Sequence, residues 1–344
     1  MCSQRILLAV CYLLCTFYFG CTQTVTNAVE PPINSTTTFA KGADISWLTE
    51  MEKSGLLFYN NSGVQTECMQ LLKDKGMNAI RLRVWVNPSN GWCNSNDVLV
   101  KALRAKKLGM KIMIDFHYSD IWADPGHQKK PAAWSGFTIN ELTKAVYDHT
   151  YDVMNLLKSN GISPEWVQVG NETNDGMLWE EGRASVNMKN FAQFINSGYS
   201  AVKTISVSSK VIVHISNGYD NALFRWIFDG LSSNGVNWDM IGLSLYPESN
   251  NWQSLNSQCL ATMNDLVNRY GKEVMVCEVG MNLNDPVSCK AFLTDIIAKT
   301  KSVIGGKGMG VFYWEPQCYN WSNYQKGAFD SNNKPTIALD AFSN

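Results

Sequence analysis

Eight short apolar runs recur along this chain, separated by longer stretches with helical spacing. In order they read "FAKGADI", "NAIRLRVWV", "KIMIDFHY", "WVQVGNE", "KVIVHIS", "MIGLSLYP", "EVMVCEVG" and "GVFYWEP". Short runs dense in Val, Ile and aromatic residues suit buried strands. Between them, "TECMQLLKDKG", "VLVKALRAKKLG" and "TKAVYDHTYDVMNLLKSNG" read as amphipathic helices, each ending on a glycine suited to a helix C-terminus. Eight strands alternating with helices predict an α/β fold, the (β/α)8 TIM barrel. The rival is an open doubly wound sheet. The first run lacks the G-x-G-x-x-G turn such a sheet uses for dinucleotides, and no phosphate loop occurs elsewhere. At 344 residues and 45% hydrophobic, the chain can fill one large core. No repeat, charge run or internal linker marks a second domain.

The start of the chain reads differently. Arg5 is the only charge before a nearly continuous apolar run from Ile6 to Phe19. That run is short for a membrane span and fits a secretory signal, so residues 1–20 are expected to be a signal peptide. Cys21 then follows a small residue, as in a bacterial lipoprotein cleavage box, although Tyr18 replaces the usual Leu. The protein is therefore expected to be exported: a cell-surface or periplasmic lipoprotein anchored through Cys21, or a secreted protein. Residues 21–38 are polar and Thr-rich and read as a flexible tether, leaving 39–344 as a single domain. Six cysteines remain in that domain, an even number that permits disulfides in an exported chain. No C-x-x-C pair or His/Cys cluster argues for zinc. The net charge of −1 gives no electrostatic case for nucleic acid. Asn34, Asn60, Asn171 and Asn320 each begin an N-x-S/T triplet.

Polar residues collect at one end of the runs. Asp44 closes the first, Arg81 and Arg83 the second, Asp115 and His117 the third, and Asn171 and Glu172 the fourth. His214, Tyr246, Glu278 and Trp314 close the remaining four. In a closed barrel those ends meet on one face, where barrel enzymes place their chemistry. Glu172 and Glu278 would then face each other across the mouth. Two facing carboxyl groups are the minimal equipment for breaking a glycosidic bond: one protonates the leaving oxygen, the other attacks the anomeric carbon or activates water. Each charge raises the other's pKa, which keeps one of the pair protonated near neutral pH. Tyr246 and Arg81 are placed to hold the nucleophile ionised. Asp115, His117 and Trp122 are candidates for contact with sugar, His214 for the same face, and Asp44 for orienting a site side chain or capping its turn. Twelve Trp also suit a sugar cleft, since an indole offers a flat apolar face and one N–H donor.

Strand four ending Asn-Glu and strand seven ending Glu resembles the retaining (β/α)8 glycoside hydrolases of clan A. Within that clan the chain resembles family 53, the endo-β-1,4-galactanases. The stretch "DFHYSDIWADPGHQKKPAAW" carries most of the likeness. "KGADIS", "NAIRLRVWVNPSNGWC", "VQVGNETNDGMLW", "GLSLYP" and "GVFYWEP" match in order and spacing. The resemblance implies that 39–344 is a catalytic domain, with Glu172 as acid/base and Glu278 as nucleophile. It implies that Asn171 binds the 2-hydroxyl of the reacting sugar. Arg81, His117 and Tyr246 would surround that sugar, and Trp314 would lie beneath it. Trp85, Trp122 and Trp179 are further candidates for cleft walls. The implied substrate is β-1,4-galactan, including galacto-oligosaccharides and the arabinogalactan of pectin side chains, cut internally with retention by a monomer without cofactor. The alternatives are another clan A endo-glycanase (a mannanase, a xylanase or a β-1,3-active enzyme) and a non-catalytic surface glycan-binding protein. Two features depart from the family's usual pattern. "CEVGMN" stands where Glu-Thr is common, and Ser216 where Asp is frequent. No carboxylate cluster matches the calcium site of some bacterial members, so no metal is expected.

Overall fold

The computed structural model describes residues 38–343. The expected signal peptide, all but the last residue of the tether, and Cys21 lie outside the described residues. Eight parallel strands close into a barrel in chain order. They are β1 (Ala40–Asp44), β2 (Ala79–Val84), β3 (Lys111–Phe116), β4 (Trp166–Val169), β5 (Lys210–Ile215), β6 (Met240–Leu245), β7 (Glu273–Val279) and β8 (Gly308–Trp314). Each falls within or beside one of the eight runs read from the sequence.

The connections carry the helices. They are α1 (Leu48–Lys53), α2 (Cys68–Asp74), α3 (Ser95–Lys107), α4 (Ile139–Ser159), α5 (Ala184–Ile205), α6 (Asn221–Ser233), α7 (Trp252–Tyr270) and α8 (Pro286–Lys301). Their starts are set by local chemistry. Asn94, Asp220 and Asp285 accept hydrogen bonds from first-turn backbone N–H groups, and Thr138 with Glu141 forms a capping box at α4. Helices α2, α3 and α4 stop just short of Gly76, Gly109 and Gly161, the expected terminators.

Alternate residues of each strand point into the barrel or outward to the helices. The outward set joins the helices in one large core. The inward set splits in two. Ala40, Ala79, Met113, Trp166, Ile212, Met240, Met275, Cys277, Met309 and Phe312 form a separate apolar plug. Gly42 makes room for it: a Cβ there would lie 2.2 Å from the Phe312 ring. Above the plug the inward residues are polar. All six cysteines of the domain are buried and free.

Candidate active site

The layer above the plug is organised by Arg81. Register sets Asp44 opposite Arg81 and Asp115 opposite Gln168. From the centre, Arg81 Nη1 donates to Asp44 Oδ2 at 2.7 Å and Nε to Gln168 Oε1 at 2.6 Å. Its Nη2 lies 2.9 Å from Asp115 Oδ2, 2.8 Å from Glu278 Oε1 and 2.9 Å from Asn171 Oδ1. Three carboxylates around one buried guanidinium leave surplus negative charge in a low-dielectric site. The Asp115 carboxyl is nonetheless held below its usual range, because Arg81 and His117 outweigh the burial that would raise it.

Both histidines of this layer are neutral, since burial lowers the pKa of each. The Nδ1 of His117 accepts from Ala123 N–H at 3.1 Å and Trp85 Nε1–H at 3.3 Å, so its proton is on Nε2, facing Asp115 at 3.0 Å. The Nδ1 of His214 faces two donors, Gln168 Nε2 at 2.9 Å and Glu172 N–H at 3.4 Å. Asn171 Oδ1 lies 3.0 Å from the same nitrogen and takes its own hydrogen bond from Arg81. The proton of His214 therefore sits on Nε2 and is donated to Ser244 Oγ at 2.8 Å.

The two glutamates sit above this layer in unlike surroundings. Glu278 lies within β7, and its oxygens take an ion pair from Arg81 and a 2.7 Å hydrogen bond from the Tyr246 hydroxyl. Glu172 lies three residues past β4, in a left-handed turn (φ 43°) that follows Gly170 (φ 89°). A side chain at Gly170 would meet Thr173 Cγ2 at 2.6 Å. The sequence run "WVQVGNE" thus stops being strand before its carboxylate, and the turn aims Glu172 at the mouth. Its one hydrogen bond to the side-chain oxygens comes from Ser244 Oγ to Oε1 at 2.7 Å. Ser244 is in register with Glu278, so one residue of β6 stands between the two acids.

Burial raises the pKa of both. At Glu172 the charge of Glu278 adds to burial, and the Ser244 hydroxyl and the charge of Arg81 oppose them less strongly. At Glu278 a cation and a phenol oppose burial. Glu278 is therefore the first of the pair to ionise, and Glu172 keeps its proton.

A cavity of about 460 Å3 opens over the pair. It brings together Asn171, Glu172, Tyr246, Glu278, His117, Trp122 and Trp314, all named from the sequence. It also includes residues the sequence did not single out: Trp47, Ala123, Asp124 and, after β8, Ser322, Asn323 and Tyr324. Of the residues expected to contact sugar, Arg81, Asp115 and His214 do not line this cavity, and neither does Asp44. All four are fully buried beneath the cavity, and their hydrogen bonds go to one another and to the side chains above. Asp44 does both jobs foreseen for it, orienting Arg81 and accepting from Ser46 N–H and Oγ.

Arg83 and Glu315 form a second buried ion pair at 3.2 Å. The Arg83 guanidinium lies 4.1 Å from the Trp122 ring centroid, 5.1 Å from Trp85 and 5.4 Å from Trp47, so it props the aromatic wall from behind. Glu315 is completely buried and accepts from Trp47 N–H and Gln317 Nε2. It is a carboxylate near the mouth that does not line the cavity, unlike Glu172 and Glu278.

The family model described as glycosyl hydrolase family 53 matches residues 40–342. The chain belongs to this family. A probable arabinogalactan endo-β-1,4-galactanase of Aspergillus fumigatus is 37% identical over 298 residues, covering 80% of this chain and 83% of that protein. A solved fungal β-1,4-galactanase superposes with a TM-score of 0.82 at 30% identity, covering 89% of this chain and 99% of the other. The family 53 catalytic domain of Ignisphaera aggregans gives 0.81 at 29% identity, covering 91% and 98%.

Against its family 53 frame, the two departures become local. Val279, after Glu278, is buried in the packing between barrel and helices and does not face the cavity. Ser216 pairs with Asn174, whose Nδ2 donates to Ser216 Oγ at 2.6 Å and whose Oδ1 accepts from Ser216 N–H at 2.8 Å. The N-x-T triplet at Asn171 is closed to glycosylation in the folded chain, because Asn171 is buried and its Nδ2 donates to Ala123 O. Among the described residues no group of three or more His, Cys, Asp and Glu side chains could hold a metal ion.

Proposed function

We propose that this family 53 chain is an endo-β-1,4-galactanase that cleaves β-1,4-galactan with retention, through a glycosyl-enzyme on Glu278. The observation that carries the mechanism is the contrast between the two carboxyls: one held by Arg81 and Tyr246, the other by Ser244 alone. The substrate comes from the family and from the relatives named galactanases.

Glu278, ionised, attacks the anomeric carbon. Glu172 gives its proton to the glycosidic oxygen as the carbon–oxygen bond breaks. Because Ser244 Oγ–H occupies Oε1, that proton sits on Oε2. The negative charge of Glu278 is consumed in the ester it forms. The repulsion that held Glu172 protonated then disappears, so Glu172 can remain ionised and act as base. In the second step it takes a proton from water. The water oxygen bonds to the anomeric carbon and Glu278 departs as carboxylate. Asn171, its Oδ1 held by Arg81, faces the cavity where the 2-hydroxyl of the reacting sugar would lie. Trp314 and Trp122 supply flat apolar walls. The enzyme acts as an exported monomer, with either a lipid on Cys21 or free secretion.

Proton NMR of linear β-1,4-galactan during the first minutes of cleavage tests this reading. The β-anomer is expected first, with a spread of internal fragments. The α-anomer would rule out retention, and an uncut polymer would rule out the substrate.

A further inference from the structure

The helices run against the strands, so helix ends and strand starts share the end of the barrel opposite the mouth. That end is rich in lysine. Lys73, Lys106 and Lys158 lie in the last turns of α2, α3 and α4. Each donates through Nζ to a carbonyl at a neighbouring helix end: Leu108 O at 2.8 Å, Asn160 O at 3.2 Å and Ile205 O at 2.8 Å. A carbonyl satisfies the hydrogen bond of an ammonium but carries no full charge to cancel it. Lys107 and Lys301, both exposed, form no ion pair among the described residues. Three carboxylates of this end are already paired, Asp239, Glu273 and Asp340 with Lys203, Lys210 and Lys75. A cavity of about 430 Å3 opens here, lined by Lys203, Lys210, Lys272 and Lys307 together with Ser208 and Val207. Val207 is 82% exposed, and Ile304, three residues before Lys307, is exposed as well. The mouth has the opposite character: Asp124, Glu172 and Glu278 line its cavity, and no lysine or arginine does. A net charge of −1 conceals this division.

We propose that the base of the barrel docks on an anionic phospholipid membrane, with lipid phosphates at the lysine-lined cavity and the mouth turned outward. The proposal adds to the exported reading and is independent of which glycan is cut. Lysines spread over one face act together on a surface that is charged throughout. Each adds to an attraction that fades within about 10 Å in roughly 0.1 M salt. Val207 and Ile304 are apolar tips set among those cations, a combination that suits the boundary between headgroups and acyl chains. A polyuronide would offer carboxylates to the lysines but no apolar layer to the tips, which favours lipid. The acidic groups of the mouth would be repelled by the same surface, so the charges set an orientation as well as an attraction. The strand β1 starts on this face at Ala40, so the chain that precedes it joins the barrel here. An anchor on Cys21 would therefore hold the base, and not the cleft, against a bilayer.

Vesicle sedimentation tests this with residues 21–344 prepared without lipid, so that only the protein surface can bind. Vesicles containing phosphatidylglycerol are expected to carry the enzyme down at low salt and to release it at high salt. Vesicles of phosphatidylcholine alone should not carry it. Lys107→Glu combined with Lys301→Glu should weaken binding at least about tenfold. Lys144→Glu combined with Lys189→Glu makes the same change of charge near the starts of α4 and α5, at the mouth end of the helices. It should weaken binding less than about threefold, because those positions lie beyond the screening distance. Both variants should keep the wild-type melting temperature and kcat/KM on soluble galactan. Vesicle-bound enzyme should cut soluble galactan as fast as free enzyme, since the cleft faces away. No binding to phosphatidylglycerol vesicles, equal losses in the two variants, or inhibition on binding would overturn the proposal. So would tighter binding to polygalacturonate than to vesicles, lost in the Lys107 and Lys301 variant, which would make the face a polyuronide site. An enzyme inert on galactan that still bound vesicles in this pattern would refute the galactanase reading and support this one.

Discussion

On four neighbouring strands the barrel interior carries Ala79, Met113, Trp166 and Ile212 in its lower layer. One inward position further along the same strands it carries Arg81, Asp115, Gln168 and His214. The two layers share backbone, handedness and burial, and differ only in side chain. The lower one is held by shape and removal from water. The upper one cannot be. A buried charge without a partner costs several kcal/mol, so every group there must be answered by another. Arg81 answers three carboxylates, Gln168 answers Arg81, Asp115 and His214, and His214 answers Ser244. The lower layer gives the fold its rigidity. The upper one spends stability on an arrangement that holds two acids in different protonation states.

That comparison can be broken most directly at Glu278. Glu278→Gln should lower kcat on galactan by about ten-thousandfold or more, since nucleophile and base act as a unit. Its melting temperature should be no lower than the wild type's, because the change removes one of three carboxylates crowded on Arg81. A strongly lowered melting temperature would make Glu278 a structural residue. Glu172→Ala should cost about a hundredfold to ten-thousandfold on galactan. The loss should be much smaller on aryl galactosides with good leaving groups, which need no acid, and an equal loss on both would remove the acid role.

The lower layer should answer in the opposite way. Phe312→Ala should lose about 3–5 kcal/mol of stability, measured by denaturant unfolding. Its kcat/KM should stay within about twofold of wild type at temperatures where both are folded. If activity fell as steeply as stability, the layers would not be separable.

The smallest effects sharpen the contrast between the two acids. The pH–rate profile should be bell-shaped, with Glu278 ionising on the acid limb and Glu172 losing its proton on the alkaline limb. Tyr246 stabilises the ionised form of Glu278. Tyr246→Phe should therefore raise that pKa and move the acid limb upward by about one unit. Ser244 stabilises ionised Glu172, so Ser244→Ala should move the alkaline limb upward by a similar amount. A downward shift of either limb would reverse the assigned roles.

Much of this was legible in the sequence, and the reason is periodicity. "NAIRLRVWV" places Ala79, Arg81 and Arg83 on one side of a strand, and eight such runs closed the barrel without reference to any long-range contact. The polar ends of those runs located the mouth. What the runs could not say is depth. Arg81, Asp115 and His214 looked like sugar contacts because they share an end with Glu172 and Glu278. Which of them reaches the surface depends on where each strand stops and how its neighbour is staggered. Gln168 stood in plain view inside "WVQV", in phase with Trp166, and an inward Gln in an apolar run was the available signal. Ser244 carried the same signal two residues before Tyr246. Trp47 and Tyr324 carried none: their place in the wall is set by the turns after β1 and β8, which no pattern within either segment encodes.

The polar groups beneath the acids also close a circuit. From Glu278 through Arg81, Gln168, His214 and Ser244 to Glu172, each step is a direct contact between side chains. In the mechanism proposed above, negative charge leaves one end of this circuit and appears at the other as the bond breaks. In bulk water the surrounding dipoles would have to rotate to follow it, and that rotation is a large part of an uncatalysed barrier. Here the dipoles are side chains already fixed at both ends, so the work of turning them was done when the barrel closed.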